Sequence, residues 1–173
     1  MTRLLEDCGA TAVVAMETVV ARVRAWQAAG VTVAAVVGAF DLLHEGHLAL
    51  LTRAGAEADR LVVAVRDDEW VRVERGASRP VHPAVERAEV LAGLKPTSLV
   101  VIVDRQAGAT WLEDVRPDVL ALSDDEATAD GAEILLPPGT RAIHVPVAPG
   151  VSTTALIDRI RRADRVAPPA APE

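Results

Sequence analysis

The 173-residue chain carries 25 acidic against 18 basic side chains, a net charge of −7, and its aromatic residues are one Phe and three Trp. With no excess of cations to neutralise phosphates and little aromatic surface for base stacking, this composition excludes a general nucleic-acid binder. Its longest apolar runs, about seven to nine residues, suit buried strands and fall well short of the ~20 needed to cross a bilayer, so no membrane segment is expected.

Half of the residues are hydrophobic, mostly Ala, Val and Leu. An aliphatic core in a chain of this size predicts one domain over residues 1–163, followed by a disordered Pro- and Ala-rich tail over 164–173. Cys8 is the single cysteine and cannot form an intramolecular disulfide. No basic stretch followed by an apolar one stands at the start, and the two observations together read as a cytoplasmic protein.

Residues 11–29 predict an N-terminal helix, with Val13, Val20, Val23 and Trp26 at helical spacing and Gly30 as its stop. Residues 31–37, VTVAAVV, form a continuous β-branched run of the kind covered on both faces of a parallel sheet. A helix over 45–58, a strand over 60–65, a helix over 83–94 and a strand over 98–103 follow. The segment 72–83, rich in Arg, Gly and Pro, reads as a long loop. Beyond it come a short helix around Trp111, strands over 118–122, 132–136 and 142–147, and a last helix over 152–163. Strand and helix alternate, so the expected fold is α/β: a three-layer, Rossmann-like, doubly wound parallel sheet with its ligand site beyond the carboxyl ends of the strands.

Directly after the first strand of that series stands Gly38-Ala-Phe-Asp-Leu-Leu-His-Glu-Gly-His47. If the next helix begins near His44, then His44 and His47 lie three apart and share one face of its first turn. Free backbone N–H groups and the positive dipole end already favour an anion there, and two imidazoles add donors. Gly38 and Gly46 remove side chains that would block close approach. The cluster reads as a phosphate cradle. A zinc pair and two structural histidines are the alternatives, although no Cys or further His sits at ligand spacing nearby. The Gly-x-Gly-x-x-Gly dinucleotide fingerprint is absent.

The stretch resembles the Gly-x-Phe-Asp-x-x-His-x-Gly-His signature of the cytidylyltransferase-like nucleotidyltransferases, and Val151-Ser-Thr-Thr154 is similar to their second signature at the start of the last helix. The resemblance covers roughly residues 17–162. It is nearest to the heptose 1-phosphate adenylyltransferase branch of that family, through GASRPVHPAVERAEVLAGL and RPDVLAL. What it implies is attack by an acceptor phosphate on the α-phosphorus of a nucleoside triphosphate, ATP before CTP, with Mg²⁺ carried by the nucleotide and no resident metal. His44, His47, Ser152 and Thr153 are then the catalytic set. Gly38, Ala39, Phe40, Gly46, Arg87, Asp125 and Thr154 are implied to bind the nucleotide, and Asp41, Arg75 and Arg79 the acceptor, a small phosphate such as a sugar 1-phosphate. Relatives commonly pair, so a homodimer is expected.

The chain also departs from the branch. Where its members carry Lys-Gly-Gly-Asp-Tyr after the fourth strand of the series, this sequence has Leu122-Ser-Asp-Asp-Glu126, which keeps an aspartate at Asp125 and replaces a cation expected near the substrates by Leu122. Arg66 and Arg75 stand where the branch has Asn and Lys. Two alternatives follow: a nucleotide-binding partner or regulatory subunit, and a cytidylyltransferase for a small phosphate such as glycerol 3-phosphate.

Overall fold

The computed structural model describes residues 12–123, 135–146 and 150–163. In chain order it contains β1 (Ala12–Val13), α1 (Met16–Ala28), β2 (Val33–Gly38), α2 (Glu45–Ala56), β3 (Arg60–Arg66), α3 (Asp68–Arg75), α4 (Ala84–Ala92), β4 (Leu99–Val103), α5 (Arg105–Val115), β5 (Val119–Ser123), β6 (Arg141–Val145) and α6 (Thr153–Ala163). The strands form one sheet in the order β1-β4-β3-β2-β5-β6, and every ladder is parallel.

Successive strand side chains point to opposite faces, so continuous apolar strands must be covered on both. One core cluster joins Val36, Leu61, Val63, Val65 and Ala121 to Leu50, Leu51 and Ala54 of α2 and Ala88 and Leu91 of α4. The other joins Val33, Val62, Val101, Val103, Leu120 and Leu122 to Val19 and Val23 of α1 and Trp111 and Val115 of α5. This is the doubly wound, three-layer arrangement expected. The chain grows outward from β2 to β3 and β4, then returns to place β5 on the other side of β2, and the switch point lies between β2 and β5. There the ladder pairs Ala34 with Val119 and Ala35 with Leu120, whereas β2 stays paired with β3 as far as Gly38 and Val65.

Three expectations change. The N-terminal helix begins at Met16, because Ala12–Val13 instead add an edge strand to β4, with the Val14 amide bonded to the Val100 carbonyl at 2.9 Å. Beside an open strand edge the β-branched Val13 gains more from the ladder than from a frayed first turn. The segment expected as loop from residue 72 is in part helix: Asp67 caps α3 by accepting from the Trp70 amide at 2.7 Å. Only Val71 of that helix is buried, so no apolar repeat announces it. In the segment 132–136, residues 132–134 lie outside the described residues, and Leu135 and Leu136 are in no strand. The tail from 164 is also outside them.

The helix α3 is braced against α5. The Trp70 ring lies on Gly108, where an added Cβ would come within 2.0 Å of it. Glu74 accepts from both the Trp70 indole and Arg66. Arg66 is thereby paired at the rim, its guanidinium 5.0 Å from the Trp70 ring.

Candidate active site

The residue at the α2 N-cap is His44, in extended backbone with φ −143° and ψ 174°. Starting the helix there puts His47 one turn on, and the two rings stack with centroids 3.8 Å apart and planes 18° apart. The Phe40 ring meets His47 at a tilt, with centroids 5.1 Å apart. Burial, and then the neighbouring His44, lower the His47 pKa from 6.5 to about 3. At neutral pH His47 is therefore an uncharged imidazole with one N–H to donate, a hydrogen-bonding group rather than a cation.

Gly46 has a packing reason within the site. A Cβ on it would sit 3.1 Å from the His44 ring and 3.3 Å from Val151, so its absence lets that ring lie flat beside the segment leading into α6. The N-terminus of α6 faces the same cleft as that of α2. The Ser152 hydroxyl accepts from the Ala155 amide at 3.1 Å, the N-cap role its position suggests. The Thr153 hydroxyl donates to the Leu42 carbonyl at 3.3 Å and ties α6 to the loop after β2.

Opposite the histidines, Asp41 is 6% exposed. Its carboxylate accepts from the Arg79 guanidinium and from the Val81 amide at 2.6 Å. Arg79, which precedes the cis Arg79–Pro80 bond, and the exposed Arg75 line the cleft together with Asp41.

The structure thus brings Ala39, Phe40, Asp41, His44, Gly46, His47, Arg75, Arg79, Ser152, Thr153 and Thr154 to one cleft. Gly38 ends β2 behind its wall, and Asp125 lies outside the described residues. Arg87 lies beside the cleft: its side chain is 1% exposed and held by Asp68, and it lines the adjoining cavity with Phe40, Asp41 and His82 rather than the cleft itself. Leu122 corrects a second expectation. It packs with Trp111 on the far face of the sheet, and the β5 residue that reaches the cleft is Ser123. Sequence reasoning passed over Asp68, Val71 and Ser123. The paired aspartates 67 and 68 held one clue, since a helix start uses only one of them as its cap.

Compared with known proteins, residues 35–159 match the family described as cytidylyltransferase-like. The chain belongs to that family. It is 40% identical over 146 residues to the bifunctional protein HldE of Bradyrhizobium sp. (strain ORS 278), a match covering 83% of this chain and 30% of that protein. To the protein of the same name from Koribacter versatilis (strain Ellin345) it is 44% identical over 124 residues, covering 70% and 26%. The chain therefore spans under a third of the length of these curated relatives. Its fold is similar to that of the lipopolysaccharide core biosynthesis protein from Thermoplasma volcanium GSS1, with a TM-score of 0.55, 21% identity, and coverage of 69% of this chain and 98% of that one. Pantoate-β-alanine ligase from Francisella tularensis gives a TM-score of 0.57 at 13% identity, with coverage of 89% and 77%. As a cytidylyltransferase-like protein the chain is a nucleotidyltransferase built on a Rossmann-like sheet.

Proposed function

We propose that the chain transfers the adenylyl group of ATP to a sugar 1-phosphate such as heptose 1-phosphate. An acceptor phosphate oxygen forms a bond to the α-phosphorus as the bond from that phosphorus to the bridging oxygen breaks, and pyrophosphate leaves with the electron pair. The observation that carries this reading is the meeting of two helix N-termini and a stacked imidazole pair in one cleft, a donor-rich site for a polyphosphate. The match to relatives named HldE supports the choice of acceptor.

The hydroxyls divide the work. Ser152 accepts from a backbone amide and keeps its own O–H for phosphate, whereas Thr153 gives its O–H to Leu42 and offers its backbone N–H at the helix end. Thr154 lines the same wall. Arg75 and Arg79 on the opposite side face the acceptor phosphate, with Asp41 holding the Arg79 fork in place. Among the described residues no group of three or more His, Cys, Asp or Glu is placed to hold a metal. Mg²⁺ would arrive with the nucleotide and neutralise phosphate charge as the reaction proceeds. Leu122 faces away from the cleft, so its lack of charge gives no reason to read the chain as a non-catalytic partner.

The test is pyrophosphate release from four nucleoside triphosphates against heptose 1-phosphate, other sugar 1-phosphates and glycerol 3-phosphate. ATP with heptose 1-phosphate is the pair expected to react fastest. Preference for CTP with glycerol 3-phosphate would move the assignment to a cytidylyltransferase, and nucleotide binding without turnover on any acceptor would favour the partner subunit.

We further propose that the protein works in the cytoplasm as a homodimer. Val81, Val85 and Val90 are each at least half exposed on and just before α4, apolar area that a second copy would cover. Light scattering is expected to give twice the 18.2 kDa of one chain. A monomer at micromolar concentration would contradict the pairing.

A further inference from the structure

The geometry assigns Arg87 and Asp68 a joint positioning role: the pair holds the Ala39 carbonyl, and through it Phe40 and the stacked His47 and His44 rings that Phe40 touches, without touching either substrate. The Arg87 guanidinium spreads over three segments. Its Nε donates to the His82 carbonyl at 2.9 Å, one terminal nitrogen donates to the Ala39 carbonyl, and the other to Asp68 Oδ1 at 2.8 Å. The same Asp68 oxygen accepts from the Ala84 amide at 2.8 Å. The end of β2, the first residue of α3 and the entry to α4 are thus fastened at one point.

What needs fastening is Phe40. It is not a glycine, yet its φ is +48°, a left-handed backbone that persists only when the surroundings fix it from both sides. On the C-terminal side Asp41 is held by Arg79 and the Val81 amide. On the N-terminal side the hold is Arg87 on Ala39. The Phe40 ring then bears on His47, and His47 on His44. The planar fork suits the task, since it reaches three acceptors in fixed directions and a lysine ammonium does not. Asp68 is needed because a guanidinium at 1% exposure without a carboxylate is a buried, uncompensated charge.

Two variants, Asp68→Asn and Arg87→Lys, test the assignment. Four histidines make the imidazole titrations resolvable by NMR in the full chain. In each folded variant the His47 pKa is expected to rise by about one unit or more, as the stack loosens and water reaches the ring. Under the nucleotidyl-transfer reading, on which only the kinetic arm rests, kcat is expected to fall by about 10–100-fold with the KM for ATP within about threefold, the pattern of misplaced groups. A His47 titration unchanged in both folded variants overturns the inference. So does a KM for ATP raised about tenfold or more with kcat intact, which would make Arg87 a ligand. Should either variant fail to fold, Asp68→Glu decides by the same titration, because it keeps the carboxylate that neutralises Arg87 while displacing its oxygens by one methylene, at a side chain that is 38% exposed. If no substrate pair reacts, the NMR titration decides alone.

Discussion

Alanine at position 47 is expected to lower kcat for nucleotidyl transfer by about 10²–10³, and alanine at position 44 to do the same within that range, the loss found when one preorganised donor to a transition state is removed. Both rings are fixed before any substrate arrives: His44 by its N-cap position and the space left at Gly46, His47 by its contacts with Phe40 and His44. Fixed donors need no reorganisation as charge builds on the leaving pyrophosphate. Because the rings stack, removing one disturbs the other, and the double variant should lose much less than the product of the two single losses. Steady-state pyrophosphate release, with circular dichroism to show an intact fold, checks this. Full activity in either single variant would remove the histidines from the mechanism.

A second large effect lies in acid stability. The His47 pKa is lowered on folding from 6.5 to about 3, so between those values the unfolded chain binds the proton and the folded one does not. The stabilisation is complete above the unfolded value and is lost progressively as pH falls toward the folded one. From about pH 7.5 to about pH 4.5 this one group should remove about 2–3 kcal/mol. Two carboxylates act at lower pH with the same sign: Glu57, held below the usual range by Arg141, and Asp59, held by Thr32. Urea denaturation of wild type and of His47→Gln at the two pH values isolates the histidine, because the carboxylates are common to both. The variant is expected to lose less stability on acidification by about that 2–3 kcal/mol, and equal losses would show that His47 already titrates normally in the folded protein.

The cradle was legible in the sequence because its geometry is local. Histidines three apart at a helix start must share a turn, and a Ser-Thr-Thr before an apolar repeat must open a helix. The alternating β-branched and helical runs likewise dictate a parallel sheet covered on both faces. Leu122 was not legible, because a strand turns alternate residues to opposite faces and a motif match does not say which parity meets the cleft. Ser123 meets it instead. Arg87 and Asp68 stand 19 residues apart and meet only through tertiary packing. The helix α3 escaped notice because it is short, mostly charged and buries one side chain, and β1 because two residues become a strand only when an edge is offered.

The ladder between β2 and β5 is short, a joint that α2 spans by packing on both strands. The joint is stitched at Ala34–Val119 and Ala35–Leu120 and runs open from there toward the cleft. The helices α2 and α6 both start at the cleft, and the Thr153 hydroxyl on the Leu42 carbonyl ties the two starts together. A triphosphate held at both helix ends would bridge the two starts. Nucleotide occupancy and the docking of α6 on the loop after β2 would then be one equilibrium seen from two sides, and whatever loosens that docking would weaken the grip on the nucleotide by the same free energy.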